Sequence, residues 1–168
     1  MCARANSLRG IVNGIDYNVF NPETDPYITK TYNATTFRKE KVKNKIQLQK
    51  DLGLQEDPKA MMIGIVSRLT DQKGFDLIAY VMDELCQDAI QLVVLGTGDE
   101  RYENMFRHFD WKYHGKVSAQ IYYDETMSHR IYAAADAFLM PSLFEPCGLS
   151  QLMALRYGTV PMSERPAV

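Results

Sequence analysis

The stretch "AMMIGIVSRLTDQKGFDLIAYVMDELCQDAIQLVVLG", residues 60–96, decides the fold. It contains two short and continuously apolar runs, 60–67 and 90–96, with an amphipathic helical pattern over 75–87 between them. Continuous apolar runs of this length are typical of strands that are buried on both faces of a parallel sheet. Two neighbouring parallel strands need a crossover connection, which the helix supplies. The stretch therefore predicts a βαβ unit.

Strand and helix patterns keep alternating after this unit. The further predicted elements are a helix over 99–113, a strand over 116–123, a helix over 125–135, a strand over 136–142, a helix over 148–158 and a strand starting at 159–162. This alternation is typical of α/β domains. We therefore expect a Rossmann-like parallel sheet with helices on both faces, whose ligands bind in the loops after the strands' carboxyl ends.

The part of the chain before this unit has a different character. Turn formers dominate the beginning, so we interpret residues 1–35 as an interdomain connecting segment and 36–168 as the Rossmann-like domain, incomplete at its C-terminus. A basic helix is predicted over 36–52, with Gly53 as its cap. We interpret its basic side chains as a solvated face rather than a binding patch. These are Arg38, Lys39, Lys41, Lys43, Lys45 and Lys50.

Composition excludes several classes of function. A net charge of −2 over 168 residues gives no electrostatic reason to expect nucleic acid or an anionic membrane as a partner. No apolar run approaches the ~20 residues needed to cross a bilayer, and no signal-peptide core is visible. Neither a disulfide framework nor a metal-ligand spacing is apparent, which favours a reducing compartment such as the cytosol. The cysteines are Cys2, Cys86 and Cys147, and the histidines are His108, His114 and His129.

The loop after the first predicted strand, "SRLTDQKGFD", carries two cations. Arg68 and Lys73 flank a polar turn that ends at Gly74, where the next helix begins. A guanidinium fork, an ammonium and the free N–H groups of a helix end would together suit a diphosphate. The alternative is that both are solvated loop charges, and the residues alone leave these two interpretations open.

The next two loops offer weaker signals. Gly96 and Gly98 allow close backbone approach, but Arg101 stands where a dinucleotide fingerprint needs a small residue. A dinucleotide cofactor loop is therefore disfavoured, and a tight turn is as good an explanation as a ligand contact. Tyr123 follows the third strand, where its ring could stack on a flat base or simply join the core.

The fourth loop and helix read "SLFEPCGLSQLMALRYG", residues 142–158. The backbone of 148–150 would present free N–H groups at the start of the helix, with Glu145 beside them. Glu145 could simply complement the helix dipole. Because proline follows it, Glu145 is also biased away from helical geometry and could project into the cleft. There its carboxylate would hold sugar hydroxyls while the N–H groups hold a phosphate.

Four stretches together resemble the bacterial glycogen synthases and plant starch synthases. They are "GIVNGIDYNVFNPETDP", "GIVSRLTDQKGFDL", "VVLGTGD" and "SHRIYAAADAFLMPSLFEPCGLSQLMALRYGTVP", and the similarity runs from about Leu8 to Pro161. Those enzymes are retaining glucosyltransferases of the two-domain GT-B type. The resemblance implies that the chain is the greater part of the C-terminal, nucleotide-sugar-binding domain, with 8–22 leaving the N-terminal domain. It also implies a parent that transfers glucose from ADP-glucose to the non-reducing end of an α-1,4-glucan.

The resemblance also implies roles for particular residues. Arg68 and Lys73 would bind the donor diphosphate and neutralise the departing ADP, so neither a cofactor nor a metal is expected. Glu145 would contact the glucose as an electrostatic and positioning residue. The remaining implied substrate-binding residues are Gly96 and Gly98 in the nucleotide wall, Tyr123 on the adenine, and Cys147, Gly148, Leu149 and Ser150 on glucose and phosphate. The glucan acceptor would bind through the missing N-terminal domain, in the cytoplasm of a bacterium or the plastid of a plant.

Two departures from the family pattern qualify these expectations. After Pro161 the family continues into an arginine and a Thr-Gly-Gly loop, whereas this chain reads "MSERPAV" over 162–168. Leu143 stands where the bacterial pattern often has arginine. Because the resemblance implies that half of the active-site cleft is missing, we expect the isolated chain to have little or no transferase activity. The alternatives are a GT-B transferase that uses a UDP-sugar and a non-catalytic module that binds a nucleotide or a glucan.

Overall fold

A computed structural model describes residues 7, 9–145 and 147–163. Five parallel strands form one sheet in the order β3-β2-β1-β4-β5. The strands are β1 Met61–Val66, β2 Ile90–Leu95, β3 Val117–Gln120, β4 Ala137–Met140 and β5 Val160–Ser163. The helices are α1 Phe37–Asp51, α2 Phe75–Leu85, α3 Glu100–Lys112, α4 Glu125–Ala134 and α5 Leu149–Arg156. The predicted Rossmann-like α/β fold class is confirmed.

Alternate residues of the central strands face opposite layers. Ile63 and Ile65 pack with α2 and α3, while Met62 packs with α1 and α4. This two-sided burial explains the continuous apolar runs. The chain adds β2 and then β3 on one side of β1, and β4 and β5 on the other. The crevice between the β1 and β4 ends is therefore the topological switch point, where ligands of such sheets bind.

Some expectations fall on residues outside the described part of the chain. These are Cys2, Leu8, Pro146 and the tail over 164–168. Within the described part, Cys86 and Cys147 are free thiols. None of the described helices has the length and apolar character that a bilayer crossing requires.

The predicted connecting segment contributes to the core. Ile28 and Tyr32 are buried, and the Tyr32 hydroxyl donates to the carbonyl of Tyr157 over 2.8 Å. Asp25 is also buried, with its carboxylate 2.7 Å from Nδ1 of His129. The interpretation as a connecting segment did not predict this burial, since the partners of these residues lie at distant positions that local sequence does not reveal. The domain boundary after residue 35 stays a prediction.

The interpretation of the α1 lysines as a solvated face is wrong for two of them. Lys41 and Lys45 are buried. The Lys41 ammonium donates to the carbonyls of Tyr132 and Ala133, each over 3.0 Å, and to the hydroxyl of Thr159 over 2.7 Å. These two carbonyls belong to the last turn of α4, where the helix dipole attracts a cation. Gly53 has φ +68 after the end of α1, which confirms the predicted cap.

The titration of the buried Lys41 ammonium is expected to make the free energy of unfolding depend on pH. Burial lowers the pKa of the Lys41 ammonium from 10.5 to about 7, while nearby Asp136 raises it and Lys45 lowers it. Between pH 7 and 10.5 the unfolded chain binds more protons than the folded chain, so the free energy of unfolding rises with pH. Relative to Lys41→Met, wild type should gain about 2 kcal/mol between pH 7 and 9, at about 1.4 kcal/mol per pKa unit.

Urea denaturation at the two pH values measures this gain. Lys39→Met is the matched control, because Lys39 lies on the same helix and is exposed. The difference in the free energy of unfolding between Lys39→Met and wild type should not change with pH. A pH-independent difference for Lys41→Met would mean that the three acceptors around Lys41 keep it protonated in the folded state.

Candidate functional site

The loops that follow β1 and β4 are joined at the switch point. The Gln72 carbonyl accepts from the Leu143 N–H over 3.0 Å, and the Gln72 side chain donates to the Phe144 carbonyl over 2.8 Å. Gly74 has φ +70, and a Cβ on it would lie 1.9 Å from the Pro141 carbonyl oxygen. Only glycine therefore permits the two loops to approach this closely.

This approach brings Lys73 and Glu145 together. The Lys73 Nζ lies 2.5 Å from Oε2 of Glu145, and their side chains are 16% and 24% exposed. The Ser142 hydroxyl is 3.4 Å from the same carboxylate oxygen. The short separation and incomplete solvation make this an ion pair with limited screening. The residues come from separate loops, as the sequence predicts.

A cleft of about 290 Å³ opens beside this ion pair. It contains seven of the ten predicted site residues: Arg68, Lys73, Glu145, Cys147, Gly148, Leu149 and Ser150. Arg68 is exposed and makes no ion pair with any residue that the structure describes. Gly148 precedes α5 with φ +67, and the first N–H groups of a helix have no partner within it. The cleft therefore combines two cations, one carboxylate and a helix start.

A second cavity of about 300 Å³ continues along the same edge of the sheet. It shares Val66, Ser67, Arg68 and Ser150 with the first cleft, so the two spaces adjoin each other. Tyr123 borders it and is 85% exposed, which leaves the ring available for a ligand. The two spaces together form one elongated groove, with Arg68 at the junction.

The two predicted glycines of the β2 loop occupy different places. Gly96 borders the second cavity, and a Cβ on it would lie 1.9 Å from the Ser67 carbonyl oxygen. Gly98 borders neither cavity. Its backbone bridges Leu69, and a Cβ would lie 2.2 Å from the Leu69 carbonyl oxygen. Gly98 thus packs against the backbone of Leu69. Its role in a nucleotide wall stays a prediction.

Sequence reasoning missed several residues of the groove. Ser67 is the first residue after β1 and Thr97 the second after β2, and this position at the strand ends was the signal that could have identified them. Tyr122 precedes the predicted Tyr123, and burial raises the pKa of its hydroxyl. Phe20 comes from the connecting segment, where nothing in the local pattern pointed to the groove.

The donor set of the groove favours an anionic, hydroxyl-rich ligand. Cations and helix N–H groups bind phosphate, whereas a carboxylate accepts hydrogen bonds from hydroxyl groups. Within the described residues, no cluster of three or more His, Cys, Asp or Glu side chains could hold a metal ion.

Comparisons with known proteins agree with this geometry. The chain is 73% identical to a glycogen synthase of Lachnospira eligens and 65% identical to that of Lachnoclostridium phytofermentans, each over 96% of its length. It spans about one third of the length of these relatives, 34% in both cases. Among solved structures, the catalytic domain of starch synthase IV from Arabidopsis thaliana, bound to ADP and acarbose, matches with a TM-score of 0.81 and 39% identity.

That match covers 92% of this chain and 32% of the plant domain. The structural neighbours are GT-B glycosyltransferases, in agreement with the observed five-stranded parallel sheet. The sequence pattern of the glycosyl transferases group 1 family matches residues 44–165, which include every strand and almost all of the groove. The chain therefore belongs to the glycosyl transferases group 1 family.

Proposed function

We propose that this chain supplies the ADP-glucose site of a glycogen or starch synthase. The parent protein transfers glucose from ADP-glucose to the non-reducing end of an α-1,4-glucan with retention. The observation that carries the proposal is that Arg68 borders both adjoining cavities, of which the first also contains the ion pair of Lys73 and Glu145. An elongated groove with cations in its middle fits a ligand whose diphosphate joins two neutral ends.

The two ends of the ligand occupy different cavities in this proposal. The glucose and the terminal phosphate lie in the first cleft, beside Glu145 and the backbone of 147–150. The nucleoside lies in the second cavity, where Gly96 permits close approach and Tyr123 offers a ring for stacking on adenine. Arg68 stands between them, at the place of the diphosphate.

The proposed chemistry depends on electrostatic stabilisation. As the bond between the anomeric carbon and the phosphate oxygen breaks, negative charge grows on the departing ADP. Arg68 and Lys73 stabilise that charge, with help from the N–H groups at the start of α5. Glu145 accepts hydrogen bonds from glucose hydroxyls and thereby positions the sugar, whose transition state carries oxocarbenium-like positive charge. The proposal requires neither a cofactor nor a metal.

Other parts of the proposal concern the remainder of the parent protein. The glucan acceptor binds through a domain outside this chain, which spans about one third of its relatives. The enzyme works in the bacterial cytoplasm, or in the plastid if the source is a plant. Neither a membrane nor nucleic acid is proposed as a partner.

Calorimetric titration of the chain with ADP and UDP tests the proposal. We expect ADP to bind more tightly than UDP, and Arg68→Ala to lower the ADP affinity at least tenfold. A hydrogen bond to a charged group contributes roughly 1.5–3 kcal/mol, and 1.4 kcal/mol corresponds to a factor of ten. The matched control is Arg38→Ala, which removes an exposed arginine from α1, away from the groove.

The control variant should bind ADP as wild type does. Tighter binding of UDP would favour the alternative of a UDP-sugar transferase. A wild-type chain that binds neither nucleotide at millimolar concentration would contradict the proposed donor site.

A further inference from the structure

We propose that Glu145 makes the site prefer a diphosphate that carries a sugar over the free nucleoside diphosphate. The inference rests on the proposed function and adds a selectivity to it. Glu145 and Lys73 lie in one cleft, and the ammonium that should receive a phosphate already contacts the carboxylate. Lys73 therefore cannot attract an anion without bringing that anion close to a second negative charge.

The ion pair sets an upper limit on the distance between the Glu145 carboxylate and a phosphate bound to Lys73. The Lys73 Nζ is 2.5 Å from Oε2 of Glu145. A phosphate oxygen that accepts from the same Nζ lies at roughly 2.9 Å from it. With the ion pair kept, the two anionic oxygens thus cannot be farther apart than about 5.4 Å, the sum of these two distances. This is shorter than the ~8 Å Debye length at physiological salt, so the repulsion is only partly screened.

A sugar on the terminal phosphate changes both the charge that faces Glu145 and the hydrogen bonds that Glu145 can accept. Esterification removes one ionisable oxygen from that phosphate, so the charge facing Glu145 decreases. The sugar also supplies hydroxyl groups, which can donate hydrogen bonds to the carboxylate. The Glu145 carboxylate therefore attracts the sugar nucleotide, whose hydroxyl groups donate to it. It repels the free diphosphate, because both carry negative charge.

Glu145 is the only carboxylate among the described residues that border the first cleft. The acidic residue of the β1 loop, Asp71, is paired with Arg101 and does not border the cleft. The selectivity is thus assigned to one side chain. In the proposed reaction, the same repulsion promotes dissociation of ADP once glucose has left.

The test compares ADP and ADP-glucose on wild type and Glu145→Gln by calorimetry. Glutamine keeps the size of the side chain and removes its charge. We expect the ADP affinity of the variant to rise about fivefold to tenfold and its ADP-glucose affinity to fall or stay unchanged. The rise for ADP should shrink when the ionic strength increases, because the repulsion is electrostatic.

Glu56→Gln is the matched control. Glu56 pairs with Lys50 at 3.5 Å, both side chains are about half exposed, and the pair lies away from the groove. The same loss of one negative charge there should leave both affinities unchanged. This control separates a local repulsion from a change in the net charge of the chain.

The outcomes distinguish this inference from the function on which it rests. If wild type binds ADP and Glu145→Gln binds it equally or more weakly, the selectivity is overturned while the donor site stands. If Glu145→Gln and Glu56→Gln gain ADP affinity to the same extent, the net charge of the chain is the cause and the inference is again overturned. If wild type binds neither ligand, the proposed function fails, and the selectivity fails with it.

Discussion

Gly74→Ala is expected to lower the free energy of unfolding by about 3–4 kcal/mol. An alanine at φ +70 costs about 1 kcal/mol in backbone conformation. Its methyl group would also lie 1.9 Å from the Pro141 carbonyl oxygen, which forces the two loops apart. The hydrogen bonds of Gln72 with Leu143 and Phe144 would then weaken, at about 1 kcal/mol each. Urea denaturation measures the loss.

Gly53→Ala separates the two causes of this loss. Gly53 has nearly the same backbone angle, φ +68, but a Cβ there meets nothing within 4 Å. We therefore expect it to cost only about 1 kcal/mol. Gly74→Ala should also reduce ADP binding more than tenfold, because separation of the loops displaces Lys73 from the first cleft, where it would bind the phosphate. Equal costs for the two substitutions would show that the loops tolerate separation at Pro141.

Asp136→Ala is the second substitution with a large expected effect, a loss of about 3 kcal/mol. The Lys45 ammonium lies 2.5 Å from the Asp136 carboxylate, and its side chain is only 6% exposed. Removal of the carboxylate leaves a buried charge without its partner and also frees the Met62 N–H, which donates to it over 2.8 Å. The Asp136 side chain is 40% exposed, so we take the lower end of the 3–5 kcal/mol range for buried pairs.

Two further variants test the cause of this loss. Asp51→Ala removes the partner of Arg130, a cation whose side chain is more exposed than that of Lys45, and should cost less than about 1 kcal/mol. The double substitution Lys45→Met with Asp136→Ala removes the buried charge as well and should recover part of the stability. If Asp136→Ala costs no more than Asp51→Ala, the Lys45 ammonium reaches water in the folded protein. Melting curves of the three variants give the comparison.

The strands were predictable because each is buried on two faces. Ile63 and Met62 are neighbours that face opposite helical layers, so both must be apolar. The groove was predictable for a related reason: loops at the carboxyl ends of parallel strands meet at one edge. Arg68 and Glu145 could therefore be placed near each other although they are 77 residues apart in the chain.

The burial of Lys41 and Lys45 could not be predicted in this way. A pattern method treats lysine as solvated, and one acceptor of each side chain lies 91 residues away, in Tyr132 for Lys41 and in Asp136 for Lys45. Phe20 reaches the groove only through the path of the connecting segment. Such contacts depend on the tertiary arrangement of polar partners, for which the local sequence carries no periodic signal.

The junction at Arg68 has a consequence for how such a groove diversifies. The loops after β2 and β3 border only the proposed nucleoside end, whereas Lys73 and Glu145, from the loops after β1 and β4, border only the sugar end. Changes at Gly96 or Tyr123 can therefore alter the accepted base and leave Lys73 and Glu145 in place. Under the proposed function, related proteins can therefore change their nucleotide specificity while the residues that act on the glucosyl group stay the same.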